Sequence, residues 1–168
     1  VILGPVFSGS VKVNMLLAQQ AEIPQFTGAE AGEITQMGND YIFRTSFGQQ
    51  MSMPKMAAFL ANGMKAKTVA FLWVNNDYGK GGRDVFFKEM AARNIKIVAD
   101  VSTESGQVDF AADIVKMKAS NADVMFIYTN EEECARVLRE ARKQGVKQPI
   151  IGETNVISQK VIDLAGET

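Results

Sequence analysis

From Thr68 onward, short apolar runs alternate with segments whose apolar residues recur every three or four positions. Thr68–Val74 (TVAFLWV) is a continuous apolar run of strand length, the pattern of a central parallel strand covered on both faces. Ile95–Val101 and Asp123–Tyr128 (DVMFIY) read as further strands, and Pro149–Gly152 as a short one. Between them lie helical patterns. One carries Val85, Phe86, Met90 and Ala91 on its apolar side, and Asp109–Ala119 carries Phe110, Ile114 and Met117. The clearest is Glu131–Gln144, with Cys134, Val137, Leu138 and Ala141 at helical spacing. Its acids lead and its bases trail, matching the helix dipole, and Gly145 stands where a C-cap is expected. Ser158–Ala165 is a weaker helix. Gly79-Lys80-Gly81-Gly82 reads as a turn before a helix, since it lacks the G-x-x-x-x-G-K-[ST] spacing of a phosphate loop.

The part before Thr68 is less regular. Val1–Leu3 reads as a strand stopped by the turn Gly4–Ser10, and Val11–Ala21 as a helix. Ile23–Phe26 is a short strand with Pro24 near its start, Thr27–Gly32 a loop of small residues, Tyr41–Thr45 a strand and Met51–Met64 a helix. Repeated β-α units with right-handed crossovers predict an α/β fold of parallel, doubly wound sheets with flanking helices. Ligands of such folds bind at the carboxyl ends of the strands. That rule selects five loops: Pro5–Ser10, Thr27–Gly32, Asn75–Lys80, Thr129–Glu131 and Gly152–Asn155. In the first, Ser8 stands before a helix, where its hydroxyl and the free N–H groups can hold an anion or cap the helix.

Composition narrows the chemistry. The 168 residues are 46% apolar, enough for a core, and suit one domain or parts of two. Acids and bases nearly cancel, to a net charge of −1, and the bases are spread along helices, so there is no electrostatic case for nucleic acid. No apolar run approaches the roughly 18–20 residues of a membrane span. Cys134 is single and histidine is absent, which removes a disulfide, a thiol pair and the commonest general base. No cofactor is expected. The chain opens without an initiator Met or a basic leader, and we expect it to start inside a fold.

Six segments then come in a telling order: VILGPVFSGS, EIPQFTGAEAGEIT, YIFRTSF, VAFLWVNNDYGKGG, VDFAADIVKMKASNADVMFIY and LREARKQGVKQPIIGET. Over essentially its whole length the chain resembles the substrate-binding proteins of branched-chain amino-acid-type ABC transporters. The resemblance implies an incomplete type I periplasmic-binding-protein architecture, with residues 1–48 from the first lobe and 49–168 forming most of the second. It implies a receptor, not an enzyme, that takes an amino acid or related carboxylate between two lobes. The receptor would deliver that ligand to an ABC permease, from the periplasm or from a lipid anchor outside the cytoplasm.

The resemblance also implies a site. Ser8 matches a serine that hydrogen-bonds the ligand carboxylate, and Ala29 and Ala31 match positions that bind through backbone groups. Ala31 lacks the hydroxyl often found there. Tyr78 matches an aromatic of the second-lobe wall. Asn130 stands where a stacking aromatic is frequent, a departure from the branched-chain pattern. The acid that pairs with a ligand ammonium falls on Thr154 by ungapped match, with Glu153 one residue early.

Two other readings of the residues stay open. A ligand-sensing regulatory domain of the same fold would carry a DNA-binding or signalling segment. An α/β enzyme acting on nucleotides or phosphates would need a phosphate loop or a catalytic constellation. Bland readings also apply to single residues. Arg44 and Thr45 suit structural hydrogen bonds at a crossover, the helically spaced Met residues suit core filling, and Cys134 suits an inert buried thiol.

Overall fold

A computed structural model describes residues 1–166. It contains two parallel sheets. The first has the order β1-β2-β3, with β1 at Ile2–Leu3, β2 at Gln25–Thr27 and β3 at Ile42–Arg44. The second has the order β5-β4-β6-β7, with β4 at Thr68–Val74, β5 at Lys96–Thr103, β6 at Val124–Tyr128 and β7 at Ile150–Gly152. Burial follows position in the sheet. All five residues of β6 are buried, whereas the edge strand β5 alternates between exposed and covered positions until Val101. A strand covered on both faces must be apolar throughout; an edge strand need be so only on its inward side.

Among the described residues, six α-helices flank the sheets: α1 Ser8–Gln20, α2 Gln49–Ala58, α3 Asp77–Ala92, α4 Ala111–Ala119, α5 Glu131–Lys143 and α6 Gln159–Ala165. The two faces of β4 feed two cores, because successive side chains point to opposite sides. Val69 and Phe71 pack with Met53, Leu60, Phe86 and Met90 of the α2–α3 layer. Ala70 and Leu72 pack with Ile114, Met117, Val137 and Val161 of the α4–α5–α6 layer. The three-stranded sheet has a smaller core of its own, in which Val11 and Met15 of α1 meet Ala29, Ala31, Ile34 and Ile42.

The expected alternation of elements is present, with instructive differences. Helix α1 begins at Ser8, three residues earlier than its apolar spacing indicated. Helix α2 begins at Gln49, after Gly48 at φ +70°, and ends in a π-helical turn, Phe59–Gly63. Gly79–Gly82 is not a turn: it lies in the first turns of α3, which starts at Asp77 behind the capping side chain of Asn76. Its glycines serve close packing instead. A Cβ on Gly79 would meet the Val74 carbonyl, one on Gly81 the Gln49 side chain, and one on Gly82 the Tyr128 ring. Gly145 ends α5 at φ +68°, as its position predicts.

Candidate functional site

In the four-stranded sheet, α3 after β4 packs on one face and α5 after β6 on the other. A crevice opens at the carboxyl ends where chain connections diverge in this way. A cavity of about 160 Å³ lies there, and every one of the five strand-end loops reaches it. Val6, Phe7 and Ser8 come from the loop after β1, and Gly28 and Glu30 from that after β2. Tyr78 follows β4, Asn130 follows β6, and Thr154 and Asn155 follow β7. Two sheets therefore build one wall.

Four of the seven expected site residues line this cavity: Ser8, Tyr78, Asn130 and Thr154. Ser8 is buried and is the first residue of α1; the cap position is Phe7, and no side chain caps the helix. The Ser8 hydroxyl instead accepts a 3.2 Å hydrogen bond from the Ala31 N–H. The Ala29 N–H donates to Thr27 Oγ1 at 3.0 Å. Ala29 and Ala31 are both buried, lie behind the wall and have their backbone N–H groups engaged within the protein. Both flank Glu30 on the loop after β2.

Tyr78 and Tyr128 form the aromatic part of the wall, stacked with ring centroids 4.2 Å apart. Tyr128 is fully buried at the end of β6 and continues into the sheet through Phe126 and Phe71. Burial pushes both phenols well above their ordinary range, so they stay neutral at any physiological pH. Asn155 holds the outer edge, donating to the Tyr78 hydroxyl at 3.3 Å and to the Thr129 carbonyl at 3.0 Å. Asn130 donates to Glu133 Oε1 at 3.2 Å, and that carboxylate also accepts from the Gly106 N–H.

Glu30 is the one charged side chain among the described residues of the cavity wall, and the sequence reading passed over it. Its Oε2 is buried without a hydrogen-bond partner, and Glu153 is 9% exposed. Burial first, and the neighbouring Glu153 second, push the Glu30 carboxyl up to about 7, against a smaller opposing pull from Arg44. Glu153 sits just outside the cavity and accepts from the Thr154 N–H at 2.7 Å and its hydroxyl at 2.6 Å. Arg44 holds the Glu30 loop in shape. Its guanidinium donates to the carbonyls of Glu30, Ala31 and Gly32 at 2.8, 2.9 and 3.2 Å and to Thr35 Oγ1 at 3.1 Å. Thr45 binds the Thr27 carbonyl through both N–H and hydroxyl. Both residues do the structural work expected of them.

Gln49 was also not singled out by the sequence. It is buried at the start of α2 and ties the two sheets together. Its N–H donates to the Glu30 carbonyl at 3.0 Å, and its side-chain amide donates to the Tyr78 carbonyl at 2.6 Å and the Tyr128 hydroxyl at 2.9 Å. Lys12 adds a second tie, pairing with Glu33 and, at 3.2 Å, with Asp77. Among the described residues no cluster of His, Cys, Asp or Glu could hold a metal ion, and no helix is long and apolar enough to cross a membrane.

Five loops from two parallel sheets thus meet at one cavity. Residues 1–167 match the model of the periplasmic binding protein family, and the chain belongs to that family. It is 28% identical over 167 residues to the leucine-, isoleucine-, valine-, threonine- and alanine-binding protein of Pseudomonas aeruginosa, covering 99% of this chain and 45% of that one. The Leu/Ile/Val-binding protein of Escherichia coli K12 is 24% identical over 168 residues, with 99% and 46% covered. Among solved structures, a leucine-binding protein from Thermotoga maritima superposes with a TM-score of 0.92 at 24% identity, covering 99% of this chain and 48% of that one. A solute-binding protein from Rhodopseudomonas palustris BisB5 in complex with 3,4-dihydroxybenzoic acid gives 0.89 at 24%, with 99% and 47% covered. The chain thus spans less than half the length of these relatives. The fold is that of the type I periplasmic binding proteins, in incomplete form.

Proposed function

We propose that this chain is part of an extracytoplasmic solute receptor that takes an amino acid or related carboxylate between two lobes and hands it to an ABC permease. The observation that carries the reading is the single cavity on which all five strand-end loops converge. Residues 1–48 would belong to one lobe and 49–168 to the other, with the wall formed by Ser8 and Glu30 on one side and Tyr78, Asn130 and Thr154 on the other. Ala29 and Ala31 would act by shaping the loop, and Glu153 from behind Glu30. The relatives support the class: their names describe binding of branched-chain amino acids and of an aromatic carboxylic acid. The protein would work by binding, without covalent chemistry, as a periplasmic or lipid-anchored receptor.

The test is mass spectrometry of small molecules released by denaturing the purified protein, followed by calorimetric titration of whatever is found and of L-leucine and 3,4-dihydroxybenzoate. A released amino acid or carboxylate that rebinds one to one supports the reading. Release of a nucleotide or sugar phosphate, or absence of any saturable binding, would overturn it.

A further inference from the structure

We propose that Glu30 selects the solute by its nitrogen: the cavity takes a molecule that brings an ammonium or similar N–H-bearing cation to the Glu30 carboxyl, and discriminates against one whose only charge is a carboxylate. The inference rests on the reading of the chain as a solute receptor and narrows its solute class.

An ionised carboxylate accepts hydrogen bonds at both oxygens, and a polar atom kept from water without a partner costs free energy. Glu30 Oε2 is such an atom: it is buried, and no hydrogen bond reaches it. The residue lines the cavity, so a bound molecule can supply the charge and the donors that the protein withholds.

The protein does withhold them. Arg44 gives its donors to three backbone carbonyls and to Thr35 Oγ1. Lys55 lies over the Phe47 ring, 5.5 Å from its centroid, and Lys12 pairs with Glu33 and Asp77. No ion pair among the described residues includes Glu30. The other described residues of the wall are neutral, so the cavity holds one acid and no cation. Glu153, next in the chain to the lining residue Thr154, adds a second acid nearby. Burial pushes the Glu30 carboxyl up to about 7, as expected of a charge with too little compensation.

Two further lining residues fit the same solute. Tyr78 is stacked on Tyr128, stays neutral, and offers the electron-rich ring that attracts a cation. Ser8 accepts from the Ala31 N–H, which leaves its own proton free to donate to a carboxylate. An amino acid satisfies both Ser8 and Glu30. A simple carboxylate satisfies Ser8 alone, leaves Glu30 unpaired and adds a like charge beside it. A site with an acceptor for a solute N–H rejects the analogue that lacks it, because its own polar group then stays unpaired. The partner of the solute nitrogen thus comes from the loop after β2, not from Thr154 after β7, to which the resemblance pointed.

The test uses the full-length protein at about pH 8, above the value of about 7 to which burial pushes the Glu30 carboxyl. The standard L-amino acids are screened by thermal shift. The strongest binder is then titrated calorimetrically beside the carboxylate of the same skeleton without its amino group (4-methylpentanoate for L-leucine, 3-phenylpropanoate for L-phenylalanine) and beside 3,4-dihydroxybenzoate. The amino acid should bind at least about tenfold more tightly than either carboxylate. In Glu30→Gln that preference should shrink to about threefold or less. Far-ultraviolet circular dichroism checks the fold of the variant. If Glu30→Gln does not fold, Glu30→Asp, which withdraws the charge by one methylene, carries the same expectation of a narrowed preference. A carboxylate that binds the wild type as tightly as the amino acid does, or a preference unchanged in the folded variant, overturns the inference while the receptor reading stands. Saturable binding of neither class overturns both.

Discussion

Gly82→Ala isolates the packing behind the cavity wall. In an open helix this change stabilises by about 1 kcal/mol, because alanine has the better helix propensity. Here the added methyl would stand well inside contact distance of Cε1 and Cζ of Tyr128. That ring cannot step aside. It is fully buried, hydrogen-bonded to Gln49, stacked on Tyr78 at 4.2 Å and packed edge-on against Phe126 at 6.0 Å. Overpacking a well-filled core costs about 1–3 kcal/mol, and the rigidity of this ring puts the cost at the upper end. The net expectation is a loss of about 1–2 kcal/mol, propensity offsetting part of the strain. Urea unfolding followed by far-ultraviolet circular dichroism measures it. Combination with Tyr128→Leu, which removes the obstructing ring, should show a favourable coupling of at least ~1 kcal/mol between the two sites. A Gly82→Ala protein more stable than the wild type, or strictly additive with Tyr128→Leu, would refute the packing role assigned to this glycine.

Three further outcomes follow from the same geometry. Ser8→Ala strips the Ala31 N–H of its acceptor inside the protein, and the variant should lose about 1–3 kcal/mol in chemical unfolding, more than a surface serine would. Native Cys134 should ignore a disulfide reagent at mildly alkaline pH and react fully in denaturant, since burial, with Glu133 beside it, pushes its thiol up to about 12. Glu30 binds its proton more tightly when folded than unfolded, so its contribution to stability is complete below about pH 4.5 and is lost as pH rises through about 7. Unfolding midpoints should decline across that window in the wild type and lose that decline in Glu30→Gln.

Much of the fold was legible because buried strands and amphipathic helices write their period into the chain, as in Thr68–Val74 and Glu131–Lys143. The five loops were legible too, since ligand position in a parallel sheet follows from strand direction alone. Other features were hidden for specific reasons. Glu30 sits in a run of small residues that looks like a solvent loop, and its burial in the fold, with Glu153 second, makes it unusual. Gly79–Gly82 carries the composition of a turn, but its glycines answer to atoms far away in sequence, on Gln49 and Tyr128. Gln49 is one glutamine among many until the fold buries it between two sheets. Ser8 had the right residue type for a cap, yet the helix starts one residue earlier than capping would need.

The small sheet has one more property. Phe26 and Phe43 stack at 5.1 Å on its surface, 37% and 44% exposed, beside Leu3 at 83%. A contiguous apolar strip of this kind recruits neighbours, and ordered strand edges beside it offer them hydrogen bonds. Any association through it stabilises the folded form by mass action. The melting temperature of this chain then ceases to be a single number: it should climb with protein concentration in a dilution series, and a solubilising change such as Phe43→Lys should make it constant.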